Sequence, residues 1–316
     1  MKILANDGIA PNGKALLEAA GFEVITEKVA QDDLPQELPN YVGIIVRSAT
    51  KVREALIDAC PDLRFIARAG VGIDNIDHEY ARSKGIEVIN TPAASSQSVA
   101  ELVFGHFFSL ARSVHRSNFE LRAADGDFKG LKKSYSKGIQ LRGKTLAIVG
   151  FGRIGREVAR IGLGMGMQIM PVDLMVDEAT VSLDLHPTHG GSTEVTLKTV
   201  SLEEAIKEAD FLTCHVPSLK GALIGAEQLA TMKSTAIVVN TARGGIIDEA
   251  ALLDALNNGT IAGAGLDVFV GEPTPQRALL EHPMISVTPH TGASTVEAQA
   301  NIGQELADKI IAYIQG

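Results

Sequence analysis

The sequence predicts an α/β protein built from two doubly wound, parallel-sheet domains, and three observations carry that expectation. The chain has 316 residues, more than one hydrophobic core serves well, so two domains are expected. Short apolar runs rich in β-branched residues alternate with stretches of helical periodicity along the chain, the pattern of parallel strands joined by crossover helices. A glycine-rich turn, "VGFGRIG" at 149–155, follows a strand-like run and opens a helical one, as a doubly wound sheet requires at its ligand edge.

Taken in order, "KILAND", "FEVIT", "VGIIV", "RFIARAG" and "IEVINT" read as strands, with helices over 12–20, 52–59 and 77–84, so residues 1–93 form one α/β unit. Residues 95–124 contain no proline, and the first half is apolar on nearly all sides. A serine-rich start followed by Glu101 suits a helix N-terminus, and the apolar girth suits a helix buried between two bodies or at a subunit interface. One helix is expected there. Residues 143–173 give strand, glycine turn, helix and second strand, and "ADFLTCHVP", "STAIVVNTARG", "DEAALLDALNNG", "IAGAGLDV" and "MISVTPH" continue the alternation into a second doubly wound unit. Between Leu174 and Val200 the pattern breaks, and only short strands or a loop are expected. The tail, 294–314, is one amphipathic helix with Ser294 and Glu297 spaced as a capping box.

Composition narrows the function classes. With 45% hydrophobic residues the chain has ample material for burial. It shows no apolar run of about 18 residues, and "MKILANDG" lacks the shape of a signal peptide, so a soluble cytoplasmic protein is expected. Cys60 and Cys214 are the two cysteines, read as isolated reduced thiols. A net charge of -9 disfavours nucleic acid or an anionic membrane as partner, because the overall field repels polyanions. A small anion remains open through local arginines.

Gly150, Gly152 and Gly155 satisfy G-x-G-x-x-G. The first glycine makes the tight turn, the second lets a pyrophosphate approach the backbone, and the third packs helix on strand. The pyrophosphate then meets free N–H groups at the helix N-terminus. Asp173 closes the next strand at the spacing of a ribose-binding acid, and its charge would repel a 2′-phosphate, so NAD is expected rather than NADP.

Arg243 in "VVNTARGGIID", Glu272 in "GLDVFVGEP" and His290 in "SVTPHTGAS" follow later strands, where an open α/β sheet places its crevice. Singly, each is a plain loop residue. Together they suit oxidation of an alcohol. Histidine takes the hydroxyl proton, glutamate fixes its tautomer and raises its proton affinity, and arginine clamps a carboxylate through two parallel hydrogen bonds.

"GFGRIG", "HVP" (215–217), "NTARGGIIDEAAL" (240–252), "GLDVFVGEP" (265–273) and "TPHTGASTVEA" (288–298) resemble the successive signatures of the NAD-dependent D-2-hydroxyacid dehydrogenases, and the resemblance runs end to end. It implies that Arg243 orients the substrate, Glu272 supports the histidine and His290 is the general acid/base. It places Arg153, Ile154, Asp173, Val216, Thr241, Ala242, Asp267 and Gly292 along the NAD, with Val71 reaching the nicotinamide side. It also implies a Rossmann NAD-binding domain, 94–287, inserted into a discontinuous flavodoxin-like substrate-binding domain, 1–93 plus 288–316.

Within the family, "IIVRSATKV" (44–52), "IARAGVGIDNID" (66–77) and "NTPAASSQSVAEL" (90–102) resemble most the D-3-phosphoglycerate dehydrogenase branch. That resemblance places Arg47 and Arg68 where a phosphate is met; the backbone amides of 69–72, Ala69 and Gly70 among them, are expected to hold the carboxylate beside Arg243 and His290. A glyoxylate or hydroxypyruvate reductase is the alternative within the family; an NAD-sensing corepressor-like protein is the alternative outside it. The chain ends at Gly316, which fits a short form without a C-terminal regulatory domain and without serine feedback. No metal site is expected: His186 and His189 in "HPTHGG" lack partner ligands and read as a solvated loop. His215 is expected at the cofactor rim, His106 and His115 packed on the apolar helix, and a homodimer is the default assembly.

Overall fold

The computed structural model describes residues 1–123, 127–186 and 188–316; the expected helix end at 124 and position 187 of the 174–200 stretch lie outside them. The chain divides into two compact units, Met1–Ser98 with Ala293–Gly316, and Val99–Gly292. The junctions therefore stand beyond the expected 93/94 and 287/288. The second one moves because the segment from Thr288 to Gly292 is hydrogen-bonded to Asp267, which ties it to the second unit.

In the first unit, β1 (Lys2–Ala5), β2 (Glu23–Ile25), β3 (Gly43–Val46), β4 (Phe65–Arg68) and β5 (Glu87–Asn90) form one parallel sheet in the order β2-β1-β3-β4-β5. The chain builds outward from β1 to one side and then to the other, so β1/β3 is the switch point. Alternate strand residues feed two cores. Leu4, Ile44, Val46 and Ile66 pack with Leu34 and Leu38 from α2 (Leu34–Glu37) and the 3-10 turn after it, and with Leu56 from α3 (Glu54–Asp58). Ile3, Ile45, Phe65 and Ala67 pack with Leu17 from α1 (Pro11–Ala19) and with Ile302, Leu306 and Ile310 from the C-terminal helix. This is the near-continuous apolar reading of strands buried on both faces. The last unit-one crossover is α4 (His78–Ser83).

The second unit begins within α5 (Ser96–Ala111), at Val99, and continues with α6 (Val114–Ala123). The single helix expected over 95–124 is two, broken at Ser113, which has φ 50°. The break falls where the composition turns polar: Ala100, Val103, Phe104 and Phe107 of α5 are buried, whereas α6 buries none of its residues. After α7 (Phe128–Ser134) come β6 (Thr145–Val149), α8 (Arg153–Gly164), β7 (Gln168–Val172), β8 (Glu178–Asp184), β9 (Ser192–Lys198), α9 (Leu202–Glu208) and β10 (Phe211–Cys214). The unit closes with α10 (Ala226–Thr231), β11 (Ile237–Asn240), α11 (Glu249–Asn257), β12 (Gly263–Leu266), α12 (Arg277–Glu281) and β13 (Ile285–Val287).

Six of these strands make a parallel sheet in the order β13-β12-β11-β10-β6-β7. Beside it, β8 and β9 pair antiparallel from Glu178↔Lys198 to Asp184↔Ser192, so within 174–200 the strand alternative of the expectation holds, with two strands of seven residues. Ala179 and Val181 are its buried positions, two residues apart as a half-buried strand requires. The C-terminal helix, α13 (Val296–Gln315), returns to the first unit. Its N-cap is Thr295, whose hydroxyl accepts from the Ala298 amide at 3.1 Å, not Ser294. Gly13 on α1 and Gly303 on α13 lie so close that a Cβ on Gly13 would stand 2.6 Å from the Gly303 carbonyl, and Lys309 donates to the Asn90 carbonyl at the end of β5 (2.8 Å).

Candidate active site

All six parallel strands of the second unit end on the same edge, and the switch point lies between β6 and β10, where the order reverses. The glycine turn sits there. Gly150 has φ 96°, and a Cβ on it would meet the His215 carbonyl at 2.7 Å, so both its conformation and its close approach to β10 require glycine. A Cβ on Gly155 would collide with the Gly150 carbonyl oxygen, which is the helix-on-turn packing expected of the third glycine. A Cβ on Gly152, the residue preceding α8, would meet nothing within 4 Å. Protein packing thus explains the first and third glycines and leaves the second to a ligand.

The surrounding atoms fit NAD. Arg153 and Ile154 open α8, whose first-turn N–H groups lack intrahelical acceptors and favour a phosphate. Asp173, just past β7, accepts from the Phe151 amide (2.7 Å) and the Met175 amide (2.8 Å), which fixes the carboxylate beside the turn. Each oxygen keeps a further lone pair for a ribose hydroxyl. Two buried polar atoms at the neighbouring strand ends have no protein partner, His215 Nδ1 after β10 and Thr241 Oγ1 after β11. Burial holds the His215 imidazole neutral, with its pKa down to about 3, and its Nε2 lies 3.1 Å from Thr213 Oγ1. Val216 is half-buried, with a methyl 3.1 Å from where a Gly150 Cβ would lie.

His290 and Glu272 are brought together. His290 Nδ1 lies 2.8 Å from Glu272 Oε2, while Glu272 Oε1 accepts from the Phe269 amide at 2.9 Å. The glutamate is thereby anchored at one oxygen and, with the other, keeps the proton of a neutral imidazole on Nδ1, which leaves Nε2 without a proton. His290 has φ 54°, an unusual conformation for a non-glycine residue. Its amide donates to the Asp267 carbonyl (2.8 Å). Asp267 is 1% exposed and its carboxylate accepts from Thr288 Oγ1 (2.6 Å), the Thr291 amide (2.7 Å) and the Gly292 amide (2.9 Å). Asp267 and Gly292, expected along the cofactor, are hydrogen-bonded to each other in the turn that carries His290.

Arg243 follows β11, the neighbour of β12, and its Nη1 donates to the Ala242 carbonyl at 2.6 Å. Asn240 shapes that turn by donating to the Arg243 carbonyl (2.8 Å) and accepting from the Ala242 amide (3.0 Å). Sequence reasoning passed over Asn240 and also Glu249, a buried carboxyl that accepts from the Val270 amide at 2.6 Å. Burial pushes the Glu249 pKa up. A polar residue closing an apolar strand was the available signal for Asn240; nothing local marked Glu249.

In the first unit, Val46 pairs with Arg68, so Arg47 and Arg68 share the C-terminal edge of that sheet. Arg47 is exposed, and its amide donates to Asp7 at 2.7 Å. The Arg68 guanidinium lies over Gly70, where a Cβ would collide with it. The Ala69 and Gly70 amides donate to the Val46 and Arg68 carbonyls, so these two amides are committed within the unit rather than available to a carboxylate. Val71 accepts from Asn90 Nδ2 at 2.7 Å.

Among the other histidines, His106 is buried and hydrogen-bonded to Ser286 and Thr288, and His115 bridges Ser109 and the Pro283 carbonyl. His186 and His189 are exposed, and among the described residues no group of three His, Cys, Asp or Glu could hold a metal ion. Among those residues no helix is long and apolar enough to cross a membrane.

A phosphate-binding turn at the switch point, an acid closing the adjacent strand and a histidine–carboxylate pair on the same sheet edge define a dinucleotide-dependent oxidoreductase. Residues 104–292 match the D-isomer specific 2-hydroxyacid dehydrogenase, NAD binding domain, and the chain belongs to that family, whose cofactor is NAD. It is 42% identical over 300 residues to a hydroxypyruvate reductase of Thermotoga maritima, covering 93% of this chain and 92% of the relative. It is 37% identical over 315 residues to the D-3-phosphoglycerate dehydrogenase of Bacillus subtilis, covering 99% of this chain but 56% of that enzyme, so it spans little more than half the length of that relative. Among solved structures, the TT0316 protein of Thermus thermophilus superposes with a TM-score of 0.86 at 30% identity, over 100% of this chain and 97% of the other.

Proposed function

We propose that the chain oxidises D-3-phosphoglycerate to 3-phosphohydroxypyruvate, the entry step of serine biosynthesis. The observation that supports the substrate assignment is that Arg68 ends β4, paired with Val46, and Arg47 follows Val46 at the end of β3, so two arginines stand at the C-terminal ends of adjacent strands; guanidinium groups suit a phosphate through paired charge-assisted bonds. NAD, when bound, supplies the hydride acceptor. His290 Nε2 takes the proton of the C2 hydroxyl, and Glu272 stabilises the imidazolium that results. Arg243 holds the carboxylate, and Asp173 with the Gly150–Gly155 turn holds the dinucleotide, flanked by Val71, Val216, Thr241 and Ala242. The protein acts as a cytoplasmic homodimer, a reading supported by exposed aromatic side chains on α5 and α6, Phe108 and Phe119.

A second reading, reduction of hydroxypyruvate, is favoured by the Thermotoga relative, which this chain matches over nearly its whole length. The same His290, Glu272 and Arg243 serve it, and the arginine pair then has no phosphate to meet. The two are separated by kcat/KM for D-3-phosphoglycerate against D-glycerate, repeated with Arg47→Ala and Arg68→Ala. Phosphoglycerate is expected to be preferred at least about tenfold, the equivalent of one charge-assisted hydrogen bond, and each alanine should erase most of that preference while leaving D-glycerate turnover unchanged. Equal kcat/KM for the two substrates rejects the phosphate assignment.

A further inference from the structure

We propose that His106, buried in the middle of α5, is a positioning residue that holds the turn carrying His290 through a hydrogen bond to Thr288. The proposal rests on the reading of His290 as the acid/base.

His106 is 2% exposed, and its ring meets Ser286 in β13 and Thr288 just past it. Nε2 is 3.1 Å from Thr288 Oγ1, and Nδ1 is 3.0 Å from Ser286 Oγ. The direction of each bond follows from a proton count. Thr288 has one hydroxyl proton, and it is given to Asp267 Oδ1 at 2.6 Å, an acceptor that carries no hydrogen of its own. Thr288 Oγ1 therefore receives from His106, which must carry its proton on Nε2. Burial keeps the ring neutral, with its pKa lowered to about 4, so Nδ1 is bare and accepts from the Ser286 hydroxyl at 3.0 Å, in preference to Ser109 Oγ at 3.5 Å. The result is a single polarised run, Ser286 to His106 to Thr288 to Asp267, each member donating to the next.

That run ends on the group that fixes His290. The Asp267 carboxylate accepts from the Thr291 and Gly292 amides, and its carbonyl accepts from the His290 amide, so Asp267 brackets His290 on both sides. Without His106, the Thr288 hydroxyl keeps its acceptor but loses the donor that locates it, and β13 loses two anchors to α5. Space is reserved for the ring: a Cβ on Gly265 of β12 would stand 2.7 Å from His106 Cβ.

The test compares His106→Leu, His106→Gln and Thr288→Val, with Tm, NADH affinity by fluorescence, kcat, and the ring-nitrogen NMR shifts of His290, assigned by their absence in His290→Asn. Leucine suits an apolar helix position but donates nothing; glutamine places an N–H donor near the position of Nε2. The leucine and valine variants are expected to keep NADH affinity, lose at least about tenfold in kcat as misplaced catalytic groups do, and shift His290 from the Nδ1–H tautomer to a mixture. Glutamine should restore both readouts. Unchanged kcat and tautomer in the leucine variant, or in the valine variant should the leucine chain not fold, overturns the proposal, as does a glutamine variant impaired as deeply as leucine. A wild-type protein that turns over no 2-hydroxy acid, yet whose His290 tautomer responds to the leucine change, would sink the functional reading and leave the positioning role standing.

Discussion

Glu272→Gln alters one atom's chemistry and nothing of its size, and the hydrogen bonds around it fix the consequence. Glu272 accepts two, from the Phe269 amide at 2.9 Å and from His290 Nδ1 at 2.8 Å. Glutamine has one acceptor oxygen and one donor nitrogen, so it cannot satisfy both. If its oxygen stays on Phe269, its amide N–H faces Nδ1, and the imidazole takes the tautomer with the proton on Nε2, where it cannot serve as a base. If it turns over, the Phe269 amide loses its acceptor and the Glu272 loop its anchor. Either way one hydrogen bond to a charged group is lost, worth about 1.5–3 kcal/mol. The pair is partly solvated, 46% and 36% exposed on its two side chains, so water replaces part of the loss and the lower half of the range applies. At about 1.4 kcal/mol per tenfold, kcat/KM for oxidation should fall about 10- to 40-fold, followed as NADH formation, with NADH affinity unchanged. A glutamine variant within about twofold of wild type would show that the contact does not set the tautomer of His290, and the acid/base assignment would lose its support.

The glycine turn gives a paired prediction. Gly155→Ala collides with the Gly150 carbonyl and should lower stability by about 1–3 kcal/mol in urea titrations, as overpacking does, whereas Gly152→Ala meets open space and should keep its stability while weakening NADH binding. The acid limb of the stability curve is set in part by His106 and His215, whose folded pKa values are lowered from 6.5 to about 4 and about 3 by burial. Below pH 6.5 the unfolded chain binds protons that the native one refuses, so stability is full above that value and falls toward pH 4. The His106 share is about 3 kcal/mol, and urea midpoints of His106→Gln across that range should show a correspondingly flatter slope. Phe119 is 73% exposed on α6; Phe119→Glu should shift the protein from dimer to monomer in size-exclusion chromatography with light scattering, and a wild-type monomer would remove the homodimer from the proposal.

The parallel strands were legible because strands buried on both faces are written as unbroken apolar runs: "GIIV" in β3 and "TLAIV" in β6 are buried at every position. The glycine turn, and His290 and Glu272 each within its own motif, were legible for a different reason, since each motif packs a chemical requirement into a few adjacent residues. The strands β8 and β9 alternate Ala179, Val181 and Leu183, and Val195 and Leu197, with polar residues, but β9 buries none of its positions fully, so the stretch reads as polar overall. The break at Ser113 left no proline or glycine to announce it. Ala69 and Gly70 were read as carboxylate-binding amides from their place in the motif, and the hydrogen bonds that occupy them run to Val46 and Arg68, one of them on a neighbouring strand that the motif does not contain.

Asp267 shows that a motif can name a residue without recording the hydrogen bonds it makes. Its position beside the site suggests a cofactor contact, yet His290 adopts a left-handed backbone conformation that costs an ordinary residue roughly 1–2 kcal/mol, and such a conformation persists only where its surroundings over-determine it. The Asp267 carbonyl and carboxylate, the Thr288 hydroxyl and the His106 ring supply that constraint. His106 and Thr288 lie 182 residues apart in sequence, so no local pattern records their meeting. The chemistry of the site is therefore written in residues that can be read singly, while its geometry is written in pairs that only the fold brings together, and variants of the second kind should lower turnover without touching any atom of the cofactor or substrate.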